Sequence, residues 1–150
     1  METRINAFEK GQKALTTLFG IGSYLRQSTI EKQLLELVYF RVSQINGCAY
    51  CLDMHSKDLR AAGETEQRLY GLSAWRETPY YTDREQAALA WAEAVTNVQV
   101  SDEAYRIAKA QFSDDELIDL TLGITTINTY NRFNIAFSTI PGSYEVGMFG

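Results

Sequence analysis

Cys48, Cys51 and His55 are the only cysteines and the only histidine of the chain. Spaced i, i+3 and i+7, they share one face if the segment is helical. Asn46 and Gly47, just before them, are poor helix-interior residues, so one helix should end there and another begin near Cys48. Thiols in the first turn of a helix meet unpaired backbone N–H groups and the positive end of the macrodipole. That setting favours the thiolate, the reactive form of cysteine. Two cysteines one turn apart have Cα atoms about 5–6 Å apart, within the range a disulfide spans. The chemistry on offer is a redox dithiol, with His55 on the adjoining turn within proton-exchange reach of Cys51.

Glu36 is the fourth candidate. It sits among Leu34, Leu35, Leu37 and Val38, an apolar setting for a carboxylate, and shares a helix face with Phe40, Ser43 and Gly47. Packing of that helix against the next can turn the carboxylate toward the thiols. Plainer arrangements compete. The cysteines can be a buried pair or a stabilising bridge. Cys48, Cys51 and His55 can also ligate zinc, with Glu36 or another carboxylate completing the set. By the same standard Glu36 can be a paired or snorkelling residue, and Tyr50 and Asn131 packing and hydrogen-bonding residues. The spacing, the shared face and the helix-start position favour the dithiol.

The elements that must position these groups are helical. With 150 residues the chain has the length of one domain, 1–150, and no internal repeat or linker interrupts it. A net charge of −5 carries no electrostatic footprint for nucleic acid or an anionic membrane. No apolar run approaches the roughly 20 residues of a membrane span, and the first residues lack a signal-peptide pattern. A cytoplasmic location follows by default, where paired cysteines are catalytic or metal-binding more often than structural.

Only two prolines and no sustained alternation of period two predict an all-α fold of about six to seven helices. The first runs from about Thr3 to Phe19 and closes at Gly20 and Gly22. Ser28 and Thr29 offer caps for a second, Ile30 to about Ile45. The cysteine helix follows to Ala62, with Gly63 behind it, and a fourth covers Glu66 to Trp75. Thr82 with Glu85, and Ser113 with Glu116, are capping-box pairs opening helices to about Val95 and Phe137. Ser101 caps one between them, ending near Phe112. The last helix carries Ile118, Leu120, Leu122, Ile124 and Ile127 on several sides, so most of its circumference should be buried. Its Thr121, Thr125, Thr126, Asn128, Asn131 and Asn134 then need partners, across an interface or around the site.

Glu36, eleven residues, Cys48-Ala49-Tyr50-Cys51, three residues and His55 together resemble a known signature. It is the Glu-x11-Cys-x-x-Cys-x-x-x-His of AhpD-like alkylhydroperoxidases in the carboxymuconolactone decarboxylase superfamily. The resemblance runs from about Leu34 through Ala136. It takes in Arg41 to Gly47, Ala61-Ala62-Gly63, Arg68-Leu69-Tyr70, Trp75-Arg76-Glu77, Asp83 to Glu85, Ala90 to Glu93 and Ile127 to Arg132.

The resemblance implies an AhpD-like helical domain with the Cys-x-x-Cys at a helix N-terminus, assembled as a homotrimer or a homohexamer of dimers. It implies a peroxidase in antioxidant defence that uses no haem, flavin or metal. Cys51 would attack a small hydroperoxide and become a sulfenic acid, Cys48 would resolve it to the disulfide, and a dithiol reductant or reductase partner would reopen it. Glu36 and His55 would relay the proton. Helix-terminus electrostatics alone would favour Cys48 as the more acidic thiol, so His55 must decide for Cys51. The chain departs from the best-described members in one place, carrying Tyr50 where they have a histidine before the second cysteine. Two other functions fit the same residues. One is a lactone decarboxylase using Glu36 and His55 as acid and base. The other is a non-enzymatic, redox-sensing helical oligomer.

Overall fold

The computed structural model describes residues 2–149. Among them are eight α-helices and one 3-10 segment, with no strand. The helices are α1 (Ala7–Lys10), α2 (Gln12–Leu25), α3 (Lys32–Asn46), α4 (Ala49–Ala61), α5 (Glu66–Gly71), α6 (Asp83–Thr96), α7 (Asp102–Lys109) and α8 (Asp114–Ala136). Between α5 and α6 lies the 3-10 segment Leu72–Glu77.

The helix α3 is the spine. Its Leu34, Leu35, Val38 and Val42 bury against Ala87, Ala88, Trp91 and Ala92 of α6 and against Leu120, Ile124 and Ile127 of α8. On its other side, Leu37 and Phe40 join Leu59 of α4, Leu69 of α5, and Leu72 and Trp75. The small residues of α6 let Trp91 lie in the core, where its indole N–H donates to Thr121 Oγ1 of α8 at 2.9 Å.

Several helix ends follow the sequence closely. Both capping boxes form, Thr82 with Glu85 and Ser113 with Glu116, and Ser101 caps α7. Gly63, at a φ of +92°, ends α4 with Gly63 N–H donating to Arg60 and Glu64 N–H to Leu59, a Schellman closure.

The first third differs from expectation. In place of one helix from Thr3 to Phe19 there are two, broken at Gly11. A Cβ at Gly11 would stand 2.7 Å from the Ala7 carbonyl oxygen, so only glycine lets the chain close α1 so tightly. The second helix then runs through Gly20 and Gly22 to Leu25. Each internal glycine costs about 1 kcal/mol of propensity, but burial of Leu15 and Leu25 at the two ends of α2 outweighs it. Ser28 does not cap α3; its hydroxyl donates to Leu25 O and so finishes α2. Glu31 takes the cap position without a side-chain bond to the helix, its carboxylate paired instead with Arg84. The expected Glu66–Trp75 helix breaks into α5 and the 3-10 segment, with Ala74 non-helical. The last helix is buried on several sides, as expected, with Ile118 the exception at 66% exposed.

Candidate active site

The path of the chain into the site is set by Gly47. Its φ of +69° ends α3 in the left-handed region, and the next residue, Cys48, is extended and becomes the N-cap of α4. Cys48 Sγ accepts the Cys51 backbone N–H at 3.4 Å. The cap residue of this helix is thus a redox-capable sulfur. Cys48 and Cys51 form a disulfide with Cα atoms 5.4 Å apart. Both residues are buried.

His55 follows one turn later, buried, and its Nδ1 lies 2.8 Å from Glu36 Oε2. A carboxylate accepts, so the proton of that bond sits on Nδ1 and the second ring nitrogen, Nε2, points away from Glu36. Nε2 is buried and has no hydrogen-bond partner among the described residues. Glu36 does not sink among its neighbouring leucines; it turns to the imidazole and keeps about a fifth of its side chain exposed, toward a pocket.

That pocket, about 470 Å³, is lined by Cys51, His55 and Glu36 but not by Cys48. Its walls carry several aromatic rings, among them Tyr39 from α3, Tyr50 from α4 and Tyr130 from α8, with Met54 of α4 beside them. Tyr50 packs on Phe8, whose ring stacks on Phe149 at 5.5 Å, and Phe149 stacks on Tyr144 at 5.8 Å. Burial, reinforced by the charge of Asp53, pushes the Tyr50 phenol above its ordinary value. Burial does the same to Tyr39, with the charge of Glu36 adding to it.

Sequence reasoning missed two groups beside this pair. Asp58 brings a carboxylate oxygen within 4.8 Å of the Glu36 and His55 donor atoms. Burial raises its pKa, and the charge of Glu36 pushes the same way against the opposing hydrogen bond from Tyr144. The Tyr144 hydroxyl donates to Asp58, 2.7 Å from Oδ1 and 2.9 Å from Oδ2. The segment holding Tyr144 is pinned to α4 by Gly142 N–H on Asp53 Oδ2 and by Lys57 Nζ on the Tyr144 carbonyl. Asp58 was in plain view one turn beyond His55; Tyr144, 86 residues away from Asp58, gave no local signal. Glu36, His55 and Asp58 are the three groups here that could face a cation, yet each is already engaged by an internal partner.

The comparisons with known proteins bear on the family and the fold. The sequence profile of the Carboxymuconolactone decarboxylase family matches residues 10–94. The uncharacterized protein YdfG of Bacillus subtilis (strain 168) is 40% identical over 146 residues, covering 95% of this chain and 99% of the relative. A crystal structure from Agrobacterium tumefaciens, ATU0492, described as of unknown function and linked to AhpD-type antioxidant defence, superposes with a TM-score of 0.91 at 37% identity. It covers 95% of this chain and 100% of that one. The alkyl hydroperoxide reductase AhpD of Mycobacteroides abscessus (strain ATCC 19977) is 48% identical over 40 residues, 27% of this chain and 23% of that protein. With its all-helical fold and its paired cysteines, the chain belongs to the carboxymuconolactone decarboxylase family, among the AhpD-like proteins.

Proposed function

We propose that this protein is a cysteine-based hydroperoxide reductase of antioxidant defence, turning over the Cys48–Cys51 dithiol. The family is one of enzymes, and its AhpD-like members together with the cysteine pair support a redox role. The observation that carries the finer reading is the pocket, whose wall includes Cys51 beside a His55–Glu36 pair while Cys48 stays behind it. Cys51 thiolate attacks the distal oxygen of a hydroperoxide, and the O–O bond breaks. The alkoxide leaves with the electron pair and takes up the proton that the Glu36–His55 pair accepted at Nε2 when the Cys51 thiol ionised. Cys51 is then a sulfenic acid. Cys48 attacks its sulfur, water departs, and the disulfide forms. A small dithiol or a reductase partner, by two thiol–disulfide exchanges, returns the pair to thiols. By family resemblance the working form is a homotrimer or homohexamer, placed by default in the cytoplasm.

The test is stopped-flow reduction of a hydroperoxide by wild type, Cys51→Ser and Cys48→Ser, with mass spectrometry of the thiols. Wild type should form one disulfide per peroxide consumed. Cys51→Ser should be inert, and Cys48→Ser should halt after one peroxide as a sulfenic acid. Turnover by Cys51→Ser at the wild-type rate would overturn the proposal. Undiminished lactone decarboxylation after both thiols are alkylated would replace it with acid–base chemistry at Glu36 and His55.

A further inference from the structure

Asn128, Asn131 and Asn134 follow one another at intervals of three residues along α8. The first two fix its register on the end of α3. Asn46 Nδ2 donates to Oδ1 of both Asn128 and Asn131 at 2.9 Å, and Asn131 Nδ2 donates to Ser43 Oγ at 3.0 Å. Asn131 is fully buried. These bonds grip the last turn of α3, just ahead of Gly47 and the cysteines. The third asparagine reaches the sulfur itself. Asn134 Nδ2 lies 3.4 Å from Cys51 Sγ, in a buried contact between residues 83 apart.

A neutral sulfur is a weak acceptor, so an amide buried against a disulfide or thiol gains little. Charge on the sulfur changes that, because hydrogen bonds to an ionised partner are roughly twice as strong. We propose that Asn134 is a catalytic residue whose amide N–H stabilises the Cys51 thiolate, making the second cysteine the attacking one. The proposal rests on the dithiol reading above. Each sulfur then has its own donor: the Asn134 amide for Cys51, and the Cys51 backbone N–H for Cys48. The two donors suit opposite halves of the cycle. When a peroxide is reduced, Cys51 carries the charge into the attack. When a thiolate reductant enters through the pocket and attacks Cys51, the S–S bond breaks and Cys48 leaves with the electron pair, at a helix N-terminus that favours the negative charge.

The titratable and charged groups around Cys51 are His55 and Tyr50 of α4, Glu36 and Tyr39 of α3, Tyr130 of α8, Arg26 at the end of α2, and Asp58 with Tyr144 at the pocket edge. Substitution of Asn134 leaves every one of them in place. The experiment therefore titrates Cys51 alone, in a reduced Cys48→Ser background. The readouts are thiolate absorbance at 240 nm and the pH dependence of iodoacetamide alkylation. Asn134→Leu should raise the proton affinity of Cys51 about tenfold, one pH unit, with the alkylation profile moving by the same amount and the rates converging at high pH. Asn134→Ser, which keeps a donor, should restore part of the difference. An unchanged Cys51 titration in folded Asn134→Leu overturns the proposal, and Asn134→Ala is read in the same way if the leucine variant does not fold. No peroxide enters this measurement. A protein that reduced no peroxide could still show the shift, so the two proposals fail separately.

Discussion

His55 spends one ring nitrogen on Glu36 and leaves the other buried with no partner among the described residues, a costly arrangement for an imidazole with no further duty. The carboxylate orients the ring, and on the proposed cycle its far nitrogen is the one that passes the proton. Glu36→Gln keeps the shape of the contact and removes the charge, so peroxide turnover should fall by about 10²–10⁴-fold while Cys51 alkylation changes far less. Stopped-flow peroxide consumption beside iodoacetamide kinetics would check this; equal losses in both would point to a collapsed site instead. Asp58 gives a pH prediction. Its folded pKa is raised by burial and by the charge of Glu36. The native state therefore holds the proton more tightly than the unfolded chain, and this group's contribution to stability is lost as pH rises from 3.8 through the folded value. Tyr144→Phe deletes the one bond that favours the charged carboxylate, so chemical denaturation across that window should show a steeper decline. Cys48, Cys51, His55 and Glu36 could be found in the sequence because helical spacing and one helix–helix contact suffice to join them. Asn134 was recognised only as a polar group in need of a partner. Nothing near Tyr144 in sequence pointed to Asp58.

Among the helices, α3 touches the site and both cores at once, and Arg41 shows how its position is locked. Glu93 of α6 accepts from Arg41 Nε at 2.9 Å, from Trp75 Nε1 at 2.9 Å and from Arg76 Nη1 at 2.5 Å. Burial works against that carboxylate, but the three donors prevail and hold it below its ordinary range. The sign for stability is then opposite to that of Asp58. The contribution is fully present above 4.5 and is lost as pH falls through the lowered folded value. Glu93→Gln leaves Arg41 without its charged partner and should cost about 2–3 kcal/mol at neutral pH. The variant should also lose less stability than wild type on acidification below 4.5, as measured by urea melts at several pH values. Helix starts marked by paired side chains, such as Thr82 with Glu85, could be read from sequence because the signal is local. The glycines of α2 misled for the opposite reason. Their low propensity is a local fact, and the leucines that override it are satisfied only in the assembled fold.

The molecule as a whole closes its pocket with its two ends. Phe8 near the start and Tyr144, Met148 and Phe149 near the end all line the wall that faces Cys51. Removing residues 142–149 strips three of these groups together with the hydrogen bonds to Asp53, Lys57 and Asp58. Iodoacetamide should then modify the reduced Cys51 several-fold faster, and an unchanged rate in a folded truncation would show that this segment does not limit entry. Among the described residues no helix is long and apolar enough to cross a membrane. The meeting of Phe8 and Phe149 also bears on how the protein should be handled. A bulky fluorophore attached at Phe8 or Phe149 is delivered to the doorway of the reactive sulfur and would act as a tethered plug. The bend between α6 and α7, where Val98 is 89% exposed and takes no part in the pocket wall, is the better place for such cargo.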